Sequence, residues 1–281
     1  MTFESVLYEP GQVARITLNR PEYRNAQSAT LLEELDDAFR LAERDPGVRV
    51  IVMAGAGEAF SSGHDLGTPD QRAWREDHAR DVTAIEAQFE YSWDHFVDLS
   101  LRWRDIPKPT IAMVHGWCIF GGWIIASAMD LIVAADDARF MTALLQYFPL
   151  PFDVGPRKAK ELLFDSREVT AAEACELGFV NRVFPSDRLE AETMAMAQRI
   201  ADNNAFYLRM VKLSVNQAQD AMGFRGAVQG AHSHYHLSQM SNAQWQRKRA
   251  RAEGREDPGE FRKRMPLVDK ILRQQDDPPT A

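Results

Sequence analysis

Cysteine is nearly absent. Cys118 and Cys175 are the only two in 281 residues. Two thiols cannot form the disulfide framework of a small secreted domain, so a reducing, cytoplasmic location is expected. The opening residues also lack the charged-then-apolar pattern of a secretory signal. Positive charge is not in excess: 33 Lys and Arg face 41 Asp and Glu, giving a net charge of −8. That argues against nucleic acid as the main partner, though a local basic patch could still meet phosphates. Internal repeats are absent, and so is low-complexity sequence before the C-terminal tail. One apolar run, Ile111 to Met129, is nearly long enough to cross a bilayer. His115 interrupts it, Gly121-Gly122 sits in it, Asp130 closes it, and β-formers fill its ends. No membrane partner is expected. What remains is an ordinary globular composition, 45% hydrophobic and 26% charged. The length suits one large domain or a domain with an appendage.

The most informative stretch is Lys108 to Asp136. Pro107-Lys108-Pro109 stiffens its entry. Thr110 to Val114 reads as a buried strand, Trp123 to Met129 as a short apolar helix, and Leu131 to Ala135 as another buried strand. Gly116 and Gly121-Gly122 mark tight turns or close approaches. A helix starting at a glycine pair leaves backbone N–H groups unpaired, ready for an oxygen that carries or develops negative charge.

Upstream, residues 5–8 and 13–18 predict two strands joined by a Pro10-Gly11 turn. Residues 30–44 predict a helix, and 48–54 a buried strand. Residues 68–80 read as irregular. Residues 81–104 predict a helix with Ile85, Phe89, Phe96, Leu99 and Trp103 on its apolar face. Downstream, 139–155 is loop-rich, 157–164 a helix, and 170–177 a helix with Thr170 and Glu173 as a capping box. Residues 180–184 predict a strand, 189–203 and 205–222 amphipathic helices, and the remainder a helix running into a charged, fraying tail. The alternation of strand and helix is that of an α/β fold.

Four segments, in order, carry a resemblance: ITLNRPEYRNA (16–26), FSSGHDL (60–66), KPTIAMVHGWCIFGG (108–122) and VGPRKAKELLFDSREVTAAEACELGFVNRVFP (154–185). Together they resemble the crotonase, or enoyl-CoA hydratase/isomerase, family. The resemblance implies a spiral of ββα turns over 1–188. It also implies a helical C-terminal trimerisation region over 189–281, in a homotrimer or homohexamer. The implied ligand is an acyl thioester of coenzyme A, with no metal and no cofactor beyond the coenzyme A of the substrate.

It also implies roles for residues. Reactions beside a thioester place negative charge on its carbonyl oxygen. Two backbone N–H donors aimed at that oxygen lower the barrier by ~3–4 kcal/mol each. By resemblance the donors are His64 and Gly121, while Arg24, Ala26, Ser62, His64 and Leu66 fall where the family holds coenzyme A. The two glutamates of hydratases fall at Ile124 and Leu144, neither of which can move a proton. The acid/base must then be another group. Asp153 comes first, as the best remaining carboxyl in the altered loop with Gln146 and Tyr147, then Tyr147 and the His64 imidazole. The plainer alternatives are a helix-capping Asp153, a packed Tyr147 and a His64 that uses only its N–H. Glu86 and Glu90 share a helical face that is more often merely solvated. On a helix His232 and His236 share a face and His234 does not. No carboxylate accompanies them at a zinc-type spacing. Arg247-Lys248-Arg249 could meet phosphates across a subunit boundary or form a solvated tail. Three functions stay open: a lyase or isomerase on acyl-CoA, a thioester or carbon–carbon hydrolase, and a non-catalytic acyl-CoA-binding subunit.

Overall fold

The computed structural model describes residues 3–78, 84–142 and 145–252, with side chains through residue 241. The chain begins with strands β1 (Val6–Glu9) and β2 (Val13–Leu18), then helix α1 (Ala29–Arg44), strands β3 (Val50–Gly55) and β4 (Ala59–Ser61), and helix α2 (Pro69–Asp77). Helix α3 (Ala84–Ser92) continues through a π-helical segment, Trp93–Asp98, into α4 (Leu99–Asp105). Then come β5 (Thr110–Val114), β6 (Trp117–Ile119), α5 (Gly121–Ser127), β7 (Leu131–Ala135) and β8 (Arg139–Met141). Next are α6 (Leu150–Asp153), α7 (Pro156–Asp165), β9 (Val169–Thr170), α8 (Ala171–Glu176) and β10 (Arg182–Phe184). Helices α9 (Leu189–Ala201), α10 (Ala205–Ala221) and α11 (Phe224–Ala252) end the described chain.

A six-stranded sheet runs β1-β2-β3-β5-β7-β10, and a four-stranded sheet runs β4-β6-β8-β9. From β3 to β8, successive strands alternate between the two sheets, and the chain then passes through helices to β9 in the four-stranded sheet and β10 in the six-stranded one. That is the spiral of ββα turns. β3 is VIVMAG, apolar on both faces, as a parallel strand covered on both sides must be. Ile51 and Met53 face Leu31, Leu35 and Phe39 of α1 in one core. The alternate residues Val50 and Val52 meet Leu189, Ala197 and Ala201 of α9 in a second. The strand period of two thus fixes which layer each side chain serves.

Several expectations are corrected. Residues 69–77 are helical: Pro69 opens the helix, and Gln71 Oε1 accepts from the Ala29 N–H at 2.7 Å, joining α2 to the start of α1. The apolar face expected over 81–104 is only partly buried. Phe96, Leu99 and Trp103 are inside, whereas Ile85 and Phe89 are exposed. The π segment re-phases the helix between these two sets. Thr170 caps α8 by accepting from the Glu173 N–H at 3.2 Å, but the Glu173 carboxylate pairs with Arg167, so half of the capping box forms. The expected cap at Asp153 is overturned: it lies in α6, and Gly155 begins α7 with no side-chain cap bond. Arg247 to Arg249 and the 274–281 tail fall where no side chains are described. No helix among the described residues is long and apolar enough to cross a membrane.

Candidate active site

β4 and β6 are parallel neighbours, with Ala59 beside Trp117 and Ser61 beside Cys118. Their C-terminal ends therefore release two loops side by side, where open parallel sheets commonly bind ligands. One loop carries Gly63-His64, the other Phe120-Gly121. Gln27 bridges to His64 in parallel fashion: the Gln27 N–H donates to Gly63 O at 2.8 Å, and the Asp65 N–H to Gln27 O at 3.0 Å. That pattern spends the groups flanking His64 and turns the His64 N–H to the other side. Gly121 opens α5, where an N–H has no intrahelical acceptor. Neither N–H donates to a backbone carbonyl among the described residues.

The approach of the loops is close. A methyl group on Gly63 would lie 2.9 Å from Gly121 N, and Gly63 adopts φ +94°. One on Gly122 would lie 2.5 Å from Ser61 O, and one on Gly121 would run into Gln27 Oε1 and lie 2.6 Å from His64 Nδ1. Phe120 holds φ 49°, ψ −113°, a conformation rare for any residue with a side chain.

The His64 ring stacks on Phe96 with centroids 3.6 Å apart. Its Nε2 lies 3.1 Å from Gln146 Oε1. Burial lowers the imidazole pKa to about 4, only partly opposed by the Gln146 hydrogen bond. The ring is thus neutral at physiological pH. Its Nδ1 and Gln27 Oε1 are both enclosed without a hydrogen-bond partner, and both face Gly121.

The loop after β2 is laced to the His64 loop. Ser62 N donates to Arg24 O at 2.9 Å, and the Ser62 hydroxyl to Tyr23 O at 3.3 Å. Arg20 Nη1 donates to Ala26 O and to Asp65 Oδ2, at 2.5 and 2.9 Å. Arg24, Ala26, Ser62 and His64 are thereby gathered on two adjoining loops, and Leu66 projects, 58% exposed, from one of them. Ala26 and Ser62 are buried, so a ligand would meet their backbone.

Tyr147 and Asp153 lie together elsewhere. They line a cavity of about 450 Å³ with Arg104, Ser127, Met129 and Lys212, at the end of α5 opposite Gly121. No hydrogen bond, ion pair or ring contact among the described residues links either of them to His64. Asp153 Oδ2 and the Tyr147 hydroxyl have no hydrogen-bond partner. Burial pushes the Asp153 carboxyl up to about 7 and the Tyr147 phenol well above its ordinary value. Ile124 is buried in the main core, and Leu144 lies outside the described residues.

The other candidates fall apart from both places. His232 and His236 each set Nε2 2.8 Å from the Ser92 hydroxyl, while His234 is exposed. Burial, and secondarily His236, lowers the His232 pKa to about 4. No group of three metal-ligating side chains occurs among the described residues. Glu86 and Glu90 are exposed. Sequence reasoning missed Gln27, Phe96 and Phe120 at the donor loops. None left a local signal: Gln27 sits in the polar stretch NAQSA, whose burial only the structure shows.

The model of the enoyl-CoA hydratase/isomerase family matches residues 9–256. A Mycobacterium tuberculosis protein named "Putative enoyl-CoA hydratase EchA13" is 39% identical over 264 residues, covering 86% of this chain and 82% of the relative. Among solved structures, a probable enoyl-CoA hydratase from Mycobacterium thermoresistibile is 40% identical, with TM-score 0.77, covering 84% of this chain and 97% of that one. An enoyl-CoA hydratase/isomerase from Xanthobacter autotrophicus Py2 is 31% identical over the whole of both chains, also with TM-score 0.77. With its alternating strands and its four motifs in order, the chain belongs to the enoyl-CoA hydratase/isomerase, or crotonase, family.

Proposed function

We propose that this chain is an acyl-CoA enzyme that polarises the thioester carbonyl between the N–H groups of His64 and Gly121. The observation that carries the reading is the parallel pairing of β4 and β6, which sets two N–H groups without backbone acceptors on adjoining loops. An oxygen accepting from both would gain most as it turns anionic. Arg24 and Ala26 on the loop after β2, with Ser62 and Leu66 on the His64 loop, are proposed to hold the coenzyme A portion. The relatives' names supply the substrate class, an enoyl thioester of coenzyme A.

Within the family, isomerisation is favoured over hydration. Hydration needs a positioned water and two proton-moving groups, and Ile124 is an apolar core residue. A double-bond shift needs one group to take a proton and return it. Asp153, with a pKa of about 7, suits both steps near neutral pH, with Tyr147 beside it. Helix α5 spans roughly 9 Å between Gly121 and the Asp153 cavity, at the usual rise of about 1.5 Å per residue. Asp153 would then meet a carbon several bonds from the thioester, in a chain whose conjugation carries the charge back to the oxygen.

A second reading, a non-catalytic acyl-CoA-binding subunit, is favoured by the neutral, enclosed His64 ring and the apolar Ile124. The test is a steady-state panel of crotonyl-CoA and longer conjugated dienoyl-CoAs, repeated with Asp153→Asn. Isomerisation of the dienoyl thioesters, lost in Asp153→Asn, supports the first reading. Binding without turnover of any of them supports the second.

The proposed assembly is a homotrimer or homohexamer built by the helical region from 189 onward. Its support is the exposed apolar surface of α10, with Phe206, Tyr207, Leu213 and Val215. The two free thiols fit the cytoplasm. Light scattering at micromolar concentration tests the assembly, and a monomer would refute it.

A further inference from the structure

Gln146 is 2% exposed and meets the His64 ring from 82 residues away in sequence. We propose that Gln146 is a positioning residue for the two backbone donors, holding the His64 imidazole against Gly121 so that the Gly121 N–H keeps its direction. The proposal rests on the reading of those N–H groups as the thioester site.

The ring is fixed on three sides. Gln146 Oε1 takes one edge at Nε2, 3.1 Å away. Phe96 covers a face at 3.6 Å. The remaining edge, with Nδ1, faces Gly121 so closely that a methyl group there would lie 2.6 Å from it. An oxygen acceptor at Nε2 places the ring proton there and leaves Nδ1 as a bare lone pair. Gly121 directly follows Phe120, whose left-handed φ persists only where the surroundings hold it. Packing on Gly121 is such a hold. Among the described residues, Phe96 and Gln146 meet the ring and Gly121 faces it, and none of the three is titratable. The ring's charge is therefore set by burial and by what stands at position 146.

The test compares two probes. Acetoacetyl-CoA binds an oxyanion site as its enolate, which is visible by near-ultraviolet absorbance. Coenzyme A reads the rest of the site without a carbonyl. Gln146→Leu removes the acceptor and keeps the bulk. It is expected to weaken enolate binding about ten-fold, the usual scale for one lost buried hydrogen bond, with coenzyme A affinity unchanged. Gln146→Glu keeps an acceptor but adds a carboxylate, which raises the His64 pKa. Below that raised value the ring becomes a cation beside the oxygen. Enolate affinity relative to wild type should then be higher at pH 6 than at pH 8. A merely structural Gln146 would move melting temperature and both probes together, with no such pH dependence. If both variants match wild type in the ratio of the two affinities at every pH, the proposal is overturned. If wild type itself shows no enolate band, the donor site fails and Gln146's role falls with it. Should Gln146→Leu fail to fold, the pH profile of Gln146→Glu decides alone.

Discussion

Arg20 and Asp65 meet at 2.9 Å with both side chains almost wholly buried, and Asp65 is the residue after His64. Arg20 also reaches Thr68 Oγ1 at 3.0 Å and Asp70 at 2.7 Å, so one guanidinium ties the loop after β2 to the His64 loop and the start of α2. Burial raises the Asp65 pKa, but hydrogen bonds from Thr68, Gly67 and Arg20 outweigh it and leave the carboxyl below its ordinary value.

Arg20→Met should therefore cost ~3–5 kcal/mol at pH 7, the usual scale for stranding one partner of a buried pair. Because the folded Asp65 pKa is depressed, its contribution is present above the unfolded value near 4 and fades as pH falls through the folded one. The gap between variant and wild type, measured by urea unfolding, should narrow below pH 4. An equal gap at pH 3 and pH 7 would show that Arg20 acts through packing alone.

Gly121 and Gly122 should respond differently to alanine. At Gly122 the new methyl meets the Ser61 backbone oxygen at 2.5 Å, which cannot step aside. A loss of ~2–3 kcal/mol is expected, as for overpacking elsewhere. At Gly121 the obstacles are the ends of the Gln27 and His64 side chains, which can shift. Gly121→Ala should keep more stability than Gly122→Ala but lose enolate binding. Thermal melting beside acetoacetyl-CoA titration separates the two, and a reversed order would contradict the close-approach geometry.

Asp153 predicts a stability trend of opposite sign to Asp65. Its folded pKa of about 7 lies above the unfolded value, so its protonated form is favoured by folding. Its favourable contribution is present at low pH and lost as pH rises toward 7. Asp153→Asn should raise the melting temperature relative to wild type at pH 8 by at least ~2 °C and by less at pH 5. The same difference at both pH values would mean that the carboxyl is already solvated.

The parts of the site that follow from local sequence were legible. The Gly121-Gly122 turn stood out between a buried strand and a short apolar helix, 48–54 read as a buried strand, and His64 was marked by the resemblance of FSSGHDL. The side chains around His64 left no such mark. Gln146 and Phe96 approach it from distant segments, and a tertiary contact has no local periodicity. The α2 helix was hidden by its polar face, because its anchor is one buried glutamine, Gln71, and not an apolar stripe. Asp153 read most plainly as a helix cap, because a carboxyl ahead of a helix usually is one; only the position of Gly155 shows otherwise.

The most direct measurement is a co-crystal structure with acetoacetyl-CoA. The account predicts the thioester oxygen about 3 Å from both the His64 and the Gly121 nitrogens, within ordinary hydrogen-bond range. It also predicts the coenzyme A portion along the loops of Arg24, Ala26, Ser62 and Leu66. A bound thioester whose carbonyl lies away from these two nitrogens, or N–H groups turned apart around it, would contradict the account.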